Sequence, residues 1–170
     1  MKIALYLGSF NPFHNGHLKV IQQALSDFKM DKVVIVPTMQ NPWKKEKVLD
    51  FDKRINIIAN SLYYKFIHGT VVYSKIEKEL IPPYYSYSTL HALKNKYCND
   101  EIFILCGEDT INDIPNWMNG EQIIQDYHFL ICDRTKESST EVRNRVKNND
   151  DIGDLVDSNA INIIKNYYKS

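Results

Sequence analysis

The sequence predicts an α/β fold: a single Rossmann-like, doubly wound parallel sheet with helices on both faces. Three observations carry that prediction. Short apolar runs alternate along the chain with segments whose apolar residues recur at helical spacing. The runs are apolar on both faces, as in a parallel sheet covered on two sides. The repeated strand–helix order, joined by right-handed crossovers, then closes into an open, doubly wound sheet.

Residues 2–7 form the first predicted strand, and Leu18, Ile21, Leu25 and Phe28 mark the helix after it. Residues 33–36 make a second strand ended by Pro37, and Phe51, Ile55, Ile58 and Leu62 mark a second helix. Residues 70–73 make a third strand, and Leu90, Leu93 and Tyr97 a third helix. Residues 102–105 and 128–131 make the fourth and fifth strands. Helical patterns return from Ser138 and again at Ile161, Ile164 and Tyr168. No internal repeat or linker interrupts the pattern, so residues 1–170 are expected to form one domain.

Composition narrows the function classes. The 21 basic and 21 acidic side chains cancel, which removes the basic excess expected of a nucleic-acid partner. No apolar run is long enough to span a bilayer, and no signal-peptide pattern opens the chain. Three cysteines, Cys98, Cys106 and Cys132, make an odd number with no Cys-x-x-Cys pair. Cys106 and Cys132 close apolar runs and read as buried thiols, and a reducing cytoplasmic setting is expected.

In such sheets ligands bind beyond the carboxyl ends of the strands. The first of those loops runs Gly8-Ser9-Phe10-Asn11-Pro12-Phe13-His14-Asn15-Gly16-His17. Gly8 permits a tight turn and a close backbone approach, and a helix begins near Asn15 or Gly16. Free N–H groups at that helix start favour an anion, and His14 and His17 flank it. Imidazoles donate hydrogen bonds and can be cationic near neutral pH, so both can reach one phosphate chain. A zinc pair is the poorer reading, because no third ligand is apparent and Gly16 stands where a helix former belongs.

The remaining loops add polar chemistry. Lys44, Lys45 and Lys47 follow the second strand, and one of them can meet phosphate charge or all can be solvated. Arg54 follows Asp50 and Asp52, where a surface ion pair is at least as good a reading as a site role, and it is left unassigned. Ser86, Ser88 and Thr89 precede a helix, and Ser88 or Thr89 can be its N-cap. Gly107 and Asp109 follow the fourth strand, where Asp109 can accept from a ribose hydroxyl. Trp117 is either a stacking face or a cap on the core beside Ile114. Ser138 and Glu141 have capping-box spacing, so a helix starts there. The hydroxyls of Ser139 and Thr140, with Arg143 one turn on, make a second anion cradle.

The segment from Gly8 to His17 resembles the phosphate-binding signature of the nucleotidylyltransferase superfamily. His14-Asn15-Gly16-His17 is most similar to the nicotinate or nicotinamide mononucleotide adenylyltransferases. Residues 82–90 resemble that family's Ser-Tyr-Thr-x-x-Thr-Leu stretch, Gly107-Glu108-Asp109 its Gly-Ala-Asp, and Ser138 to Arg143 its Ser-Ser-Thr-x-Ile-Arg. The resemblance implies an adenylyltransferase domain that moves AMP from ATP, with Mg²⁺, to a pyridine mononucleotide and releases pyrophosphate in NAD biosynthesis. It implies His14, His17, Lys44 and Arg143 as the catalytic set, with Lys45 the alternative to Lys44. It places Gly8, Ser9, Phe10, Gly16, Gly107, Asp109, Ser138, Ser139 and Thr140 around ATP, and Ser86, Trp117 and Arg134 at the acceptor.

Two departures stand out. Glu108 replaces the family alanine, and only residues 134–137 separate Asp133 from Ser138, where family members commonly carry a longer spacer. That shortening bears on the adenine pocket and on any oligomer contact. The alternatives are a phosphopantetheine or other mononucleotide acceptor, and a non-catalytic nucleotide-binding module. Nicotinate and nicotinamide mononucleotide remain unseparated.

Overall fold

A computed structural model describes residues 1–40 and 45–169. Five strands form one parallel sheet: β1 (Lys2–Gly8), β2 (Lys32–Pro37), β3 (Val71–Tyr73), β4 (Glu101–Cys106) and β5 (His128–Ile131). Their order is β3-β2-β1-β4-β5. β1 lies at the centre, with Leu5 opposite Val34 on one side and Ile104 on the other. The winding reverses beside β1, which opens a crevice between the loops that follow β1 and β4.

Seven helices surround the sheet among the described residues: α1 (Asn15–Ser26), α2 (Phe51–Leu62), α3 (Ser86–Lys96), α4 (Glu108–Asp113), α5 (Gly120–Asp126), α6 (Ser139–Lys147) and α7 (Ile161–Tyr168). Alternation along the strands feeds two cores. Ala4, Val33 and Ile35 face Ile21 and Ala24 of α1, Ile57 and Ile58 of α2, Val142 of α6 and Ile164 of α7. Ile3, Leu5, Val34 and Val36 face Leu90 and Leu93 of α3, Ile114, and Ile123 of α5. Each buried Val, Leu or Ile here contributes about 1.5–3 kcal/mol by leaving water, so both faces of the sheet add to stability.

The strands lie within one residue of the sequence expectation. Thr70 sits just outside β3, although its carbonyl still accepts from Val33. The short helices α4 and α5 carry no periodic apolar stripe and were not expected. Gly120 opens α5 so close to the chain that a Cβ there would lie 1.8 Å from the Ile114 carbonyl oxygen. The cap reading of α3 is corrected: the helix begins at Ser86 with Tyr85 as N-cap, and no side chain caps it. Thr89 lies inside the helix and turns its hydroxyl into the core.

Cys106 and Cys132 are buried and Cys98 is exposed. Burial raises the Cys106 thiol to about 11 and the Cys132 thiol to about 12. No described helix is long and apolar enough to cross a membrane.

Candidate active site

The turn from β1 to α1 is built around its two histidines. His14 is the N-cap of α1, and its Nδ1 accepts from the Gly16 backbone N–H at 3.0 Å. His17, at the third helical position, accepts the His14 backbone N–H on its own Nδ1, also at 3.0 Å. The result is a reciprocal capping box with imidazoles in place of hydroxyl and carboxylate. The rings stack with centroids 3.7 Å apart and planes 26° apart. Phe13 stacks on the far face of His17, and Phe10 meets it edge-on.

These bonds fix the tautomers. A ring nitrogen that accepts from a backbone N–H cannot carry a proton, so each neutral imidazole holds its proton on Nε2. Burial pushes His14 down to about 4, with the Glu137 carboxylate opposing the shift. Burial and the neighbouring His14 hold His17 well below its ordinary value. Of the two states open to an imidazole, the neutral one is favoured here, and each ring is a donor through Nε2. His14 is 6% exposed, whereas His17 is half-buried.

The α1 start is also less available than the sequence implied. The N–H of Asn15 goes to Leu155 O at 2.8 Å, that of Gly16 to the His14 ring, and that of His17 to His14 O at 3.1 Å. The hydrogen bonds that a phosphate would seek at the first helical turn are thus already made, which leaves the imidazole edges as the donors. Gly16 itself is dictated by crowding. A Cβ there would lie 2.5 Å from Thr135 Oγ1 and 2.7 Å from His14 Cε1.

The α6 start comes against this turn. Ser138 caps α6 by accepting the Glu141 N–H at 3.1 Å. The Glu141 side chain does not complete the capping box and pairs with Arg145. Ser139 Oγ donates to Pro12 O at 2.9 Å, and Arg143 Nη1 donates to Asn11 O at 2.6 Å. Arg143 Nη2 reaches Thr140 Oγ1 at 3.3 Å and Glu46 at 3.8 Å. Ser139 and Arg143 therefore hold the loop of the first motif as well as facing the same crevice.

The other candidates are spread more widely. Gly8 closes β1, and its carbonyl accepts from Thr38. The Phe10 ring is buried behind His17, so it supports the imidazole from within the core. Gly107 is the exposed N-cap of α4. Asp109 and Arg134 are both almost fully exposed and lie 3.5 Å apart, linking the loops after β4 and β5. Ser86 is half-buried at the first turn of α3. Trp117 is half-buried, packs against the second core and donates its indole N–H to Asp113 at 3.0 Å. Lys44 lies outside the described residues.

Four structural partners of the site escaped sequence reasoning. Arg54 is fully buried, and burial lowers its proton affinity. Its guanidinium donates to Leu49 O at 2.7 Å, Ser9 O at 2.6 Å, Thr38 O at 2.7 Å and Met39 O at 3.3 Å. The reading as a surface ion pair is corrected: Arg54 ties the loops after β1 and β2 together. Glu77, also buried, accepts the Met39 N–H at 2.5 Å and the Thr89 hydroxyl at 2.8 Å, joining the second loop to α3. Burial raises its carboxyl, opposed by those two bonds and by Arg54. Asn11 accepts on its side chain from Leu49 N–H and from the Tyr168 hydroxyl. Glu137 is buried against Lys19, and its second oxygen has no hydrogen-bond partner among the described residues.

Fold and site together define a Rossmann-like α/β protein with a histidine-walled turn at its switch point. The chain belongs to the cytidylyltransferase-like family, whose model matches residues 5–165. It is 30% identical to a Fusobacterium nucleatum protein named probable nicotinate-nucleotide adenylyltransferase, with 99% of each chain covered. A Cytophaga hutchinsonii protein of the same name is 34% identical over 148 residues, 84% of this chain and 73% of that one. Among solved structures, the Plasmodium falciparum nicotinic acid mononucleotide adenylyltransferase complexed with NaAD superposes with a TM-score of 0.75 at 19% identity. That match covers 98% of this chain and 95% of the other. At that identity the likeness concerns the fold.

Proposed function

We propose that this chain is an adenylyltransferase that moves AMP from ATP to nicotinate mononucleotide, or to nicotinamide mononucleotide, and releases pyrophosphate in NAD biosynthesis. Residues 1–170 act as one nucleotidyltransferase domain, and the free thiols suit a cytoplasmic setting. The observation that carries the reading is the pair of neutral imidazoles locked to present Nε2–H at the switch point, facing the start of α6. The names of its 30–34% identical relatives support the choice of acceptor.

In the reaction an oxygen of the mononucleotide phosphate bonds to the α-phosphorus of ATP, and the bond from that phosphorus to the β-phosphate oxygen breaks. The electron pair leaves with pyrophosphate, so no protein nucleophile or proton donor to a leaving group is needed. Catalysis is positioning plus stabilisation of phosphate charge. His17 and His14 donate from one side. Arg143, Ser139 and Thr140 act from the other, with Lys44 on the departing pyrophosphate. ATP arrives as its Mg²⁺ complex, in which phosphate oxygens and water hold the ion.

Gly107 and Asp109 border the ATP ribose, and Ser86, Trp117 and Arg134 the acceptor. A groove of about 570 Å³ runs between α1 and the Asp133–Lys136 segment, lined by Lys19, Gln23 and Thr135 among others. It adjoins Gly16 through Thr135, whose Oγ1 would lie 2.5 Å from a Cβ there.

Product analysis with ATP, Mg²⁺ and each acceptor separately tests the proposal. The expected result is a pyridine dinucleotide and one pyrophosphate per turnover. Absence of a dinucleotide with both pyridine mononucleotides overturns it, and a dephospho-coenzyme product would move the chain to the phosphopantetheine reading.

A further inference from the structure

The loop that carries the phosphate-facing groups is held from three separate helices. From α2, Arg54 binds Ser9 O. From α6, Arg143 binds Asn11 O and Ser139 binds Pro12 O. From α7, at the far end of the chain, the Tyr168 hydroxyl donates to Asn11 Oδ1 at 2.6 Å. Asn11 is 8% exposed, so its side-chain oxygen depends on these internal donors. Among the described residues, the one other donor to that oxygen is the Leu49 N–H, at the longer distance of 3.2 Å.

α7 is suited to act as a brace. It packs against both α2 and α6, the helices that carry the two guanidiniums. Its inner side joins the first core through Ile164, with Tyr168 packed beside it. Its other tyrosine, Tyr167, accepts from Asn56 of α2 at 2.8 Å, away from the loop. The two neighbouring hydroxyls thus differ in target: one fixes helix to helix, and one fixes helix to loop.

We propose that Tyr168 is a positioning residue for the reaction, setting the conformation of the loop from Ser9 to Phe13 through Asn11 and thereby the aim of His14 and His17. The proposal rests on the adenylyltransferase reading for its kinetic consequence but not for its structural one. Tyr168→Phe keeps the ring packing and deletes only the hydroxyl. Among the described residues the Asn11 oxygen then retains only the longer Leu49 N–H bond, and the loop gains freedom at the position that leads into the histidine cap. Misplacement of a reacting group on the scale of an ångström costs up to ~10²-fold in rate.

The test uses the full chain and two variants, Tyr168→Phe and Tyr167→Phe, with wild type beside them. Amide exchange of Ser9, Phe10, Asn11 and Phe13 is measured without substrate, and kcat and KM with it. Tyr168→Phe is expected to speed exchange in this loop at least about fivefold, and to lower kcat about tenfold with both KM values within about twofold. Tyr167→Phe, which loosens the same helix, leaves both readouts near wild type. Unchanged exchange in Tyr168→Phe overturns the proposal, as does equal loss of kcat in both variants. If wild type shows no turnover with pyridine mononucleotides, the functional reading fails while the exchange comparison still decides this one.

Discussion

His14 and His17 cap each other: the Nδ1 of each ring accepts a backbone N–H at 3.0 Å from within the same helix start. The exchange converts two titratable side chains into fixed neutral donors. It also ties the local fold to the proposed chemistry, because the atoms that cap the helix orient the Nε2–H groups proposed to meet phosphate.

His17→Ala removes one of the two donors. Turnover is expected to fall at least ~10²-fold, with the circular dichroism spectrum unchanged. Steady-state kinetics on the purified variant checks it, and near-normal turnover would remove His17 from the catalytic set.

Stability should depend on pH through His14. Its folded value, about 4, lies below the ordinary imidazole value of 6.5, so the unfolded chain binds the proton more readily. The contribution is complete above pH 6.5 and is lost as pH falls toward 4, on the order of 3 kcal/mol for this group. Urea unfolding at intervals from pH 7.5 to 4.5 should show a flatter curve for His14→Gln, whose amide oxygen can still cap Gly16. Parallel curves for the two proteins would contradict it.

Arg54→Met should destabilise strongly. It leaves the carbonyls of Ser9, Thr38, Met39 and Leu49 without their buried donor. A loss of about 3–5 kcal/mol is expected, and a urea midpoint within error of wild type would refute the hub.

Gly16→Ala should cost about 1–3 kcal/mol by overpacking and displace His14. Adding Thr135→Ala relieves one contact and leaves the imidazole at 2.7 Å, so thermal stability recovers only in part. Full recovery in the double variant would show that the His14 ring moves freely.

What the sequence disclosed follows from what repeats or clusters in it. The strands and long helices were legible because burial imposes a period. The histidine turn and the start of α6 were legible because local capping uses residues close in sequence. Arg54 was not, since its partners are four backbone carbonyls from two loops, and carbonyls leave no mark on a sequence. A signal was nevertheless present: Arg54 falls three residues after Phe51 and beside Ile55 and Ile58, on the inward stripe of α2. Asn11, Glu77 and Tyr168 escaped for the same reason, because their bonds join residues 12 to 157 positions apart. The neutral state of the histidines needed the aromatic wall of Phe10 and Phe13, which only the fold assembles.

The unequal burial of the three thiols has a practical side. Cys106 and Cys132 close β4 and β5 beneath the crevice, where their raised proton affinity leaves almost no thiolate at neutral pH. Cys98 is exposed beyond the end of α3, at the edge of the sheet where β4 begins and away from the loops that follow the strands. A maleimide fluorophore added near pH 7 therefore attaches at one place, and the native chain can be tethered or tracked without engineering a cysteine and without touching the crevice.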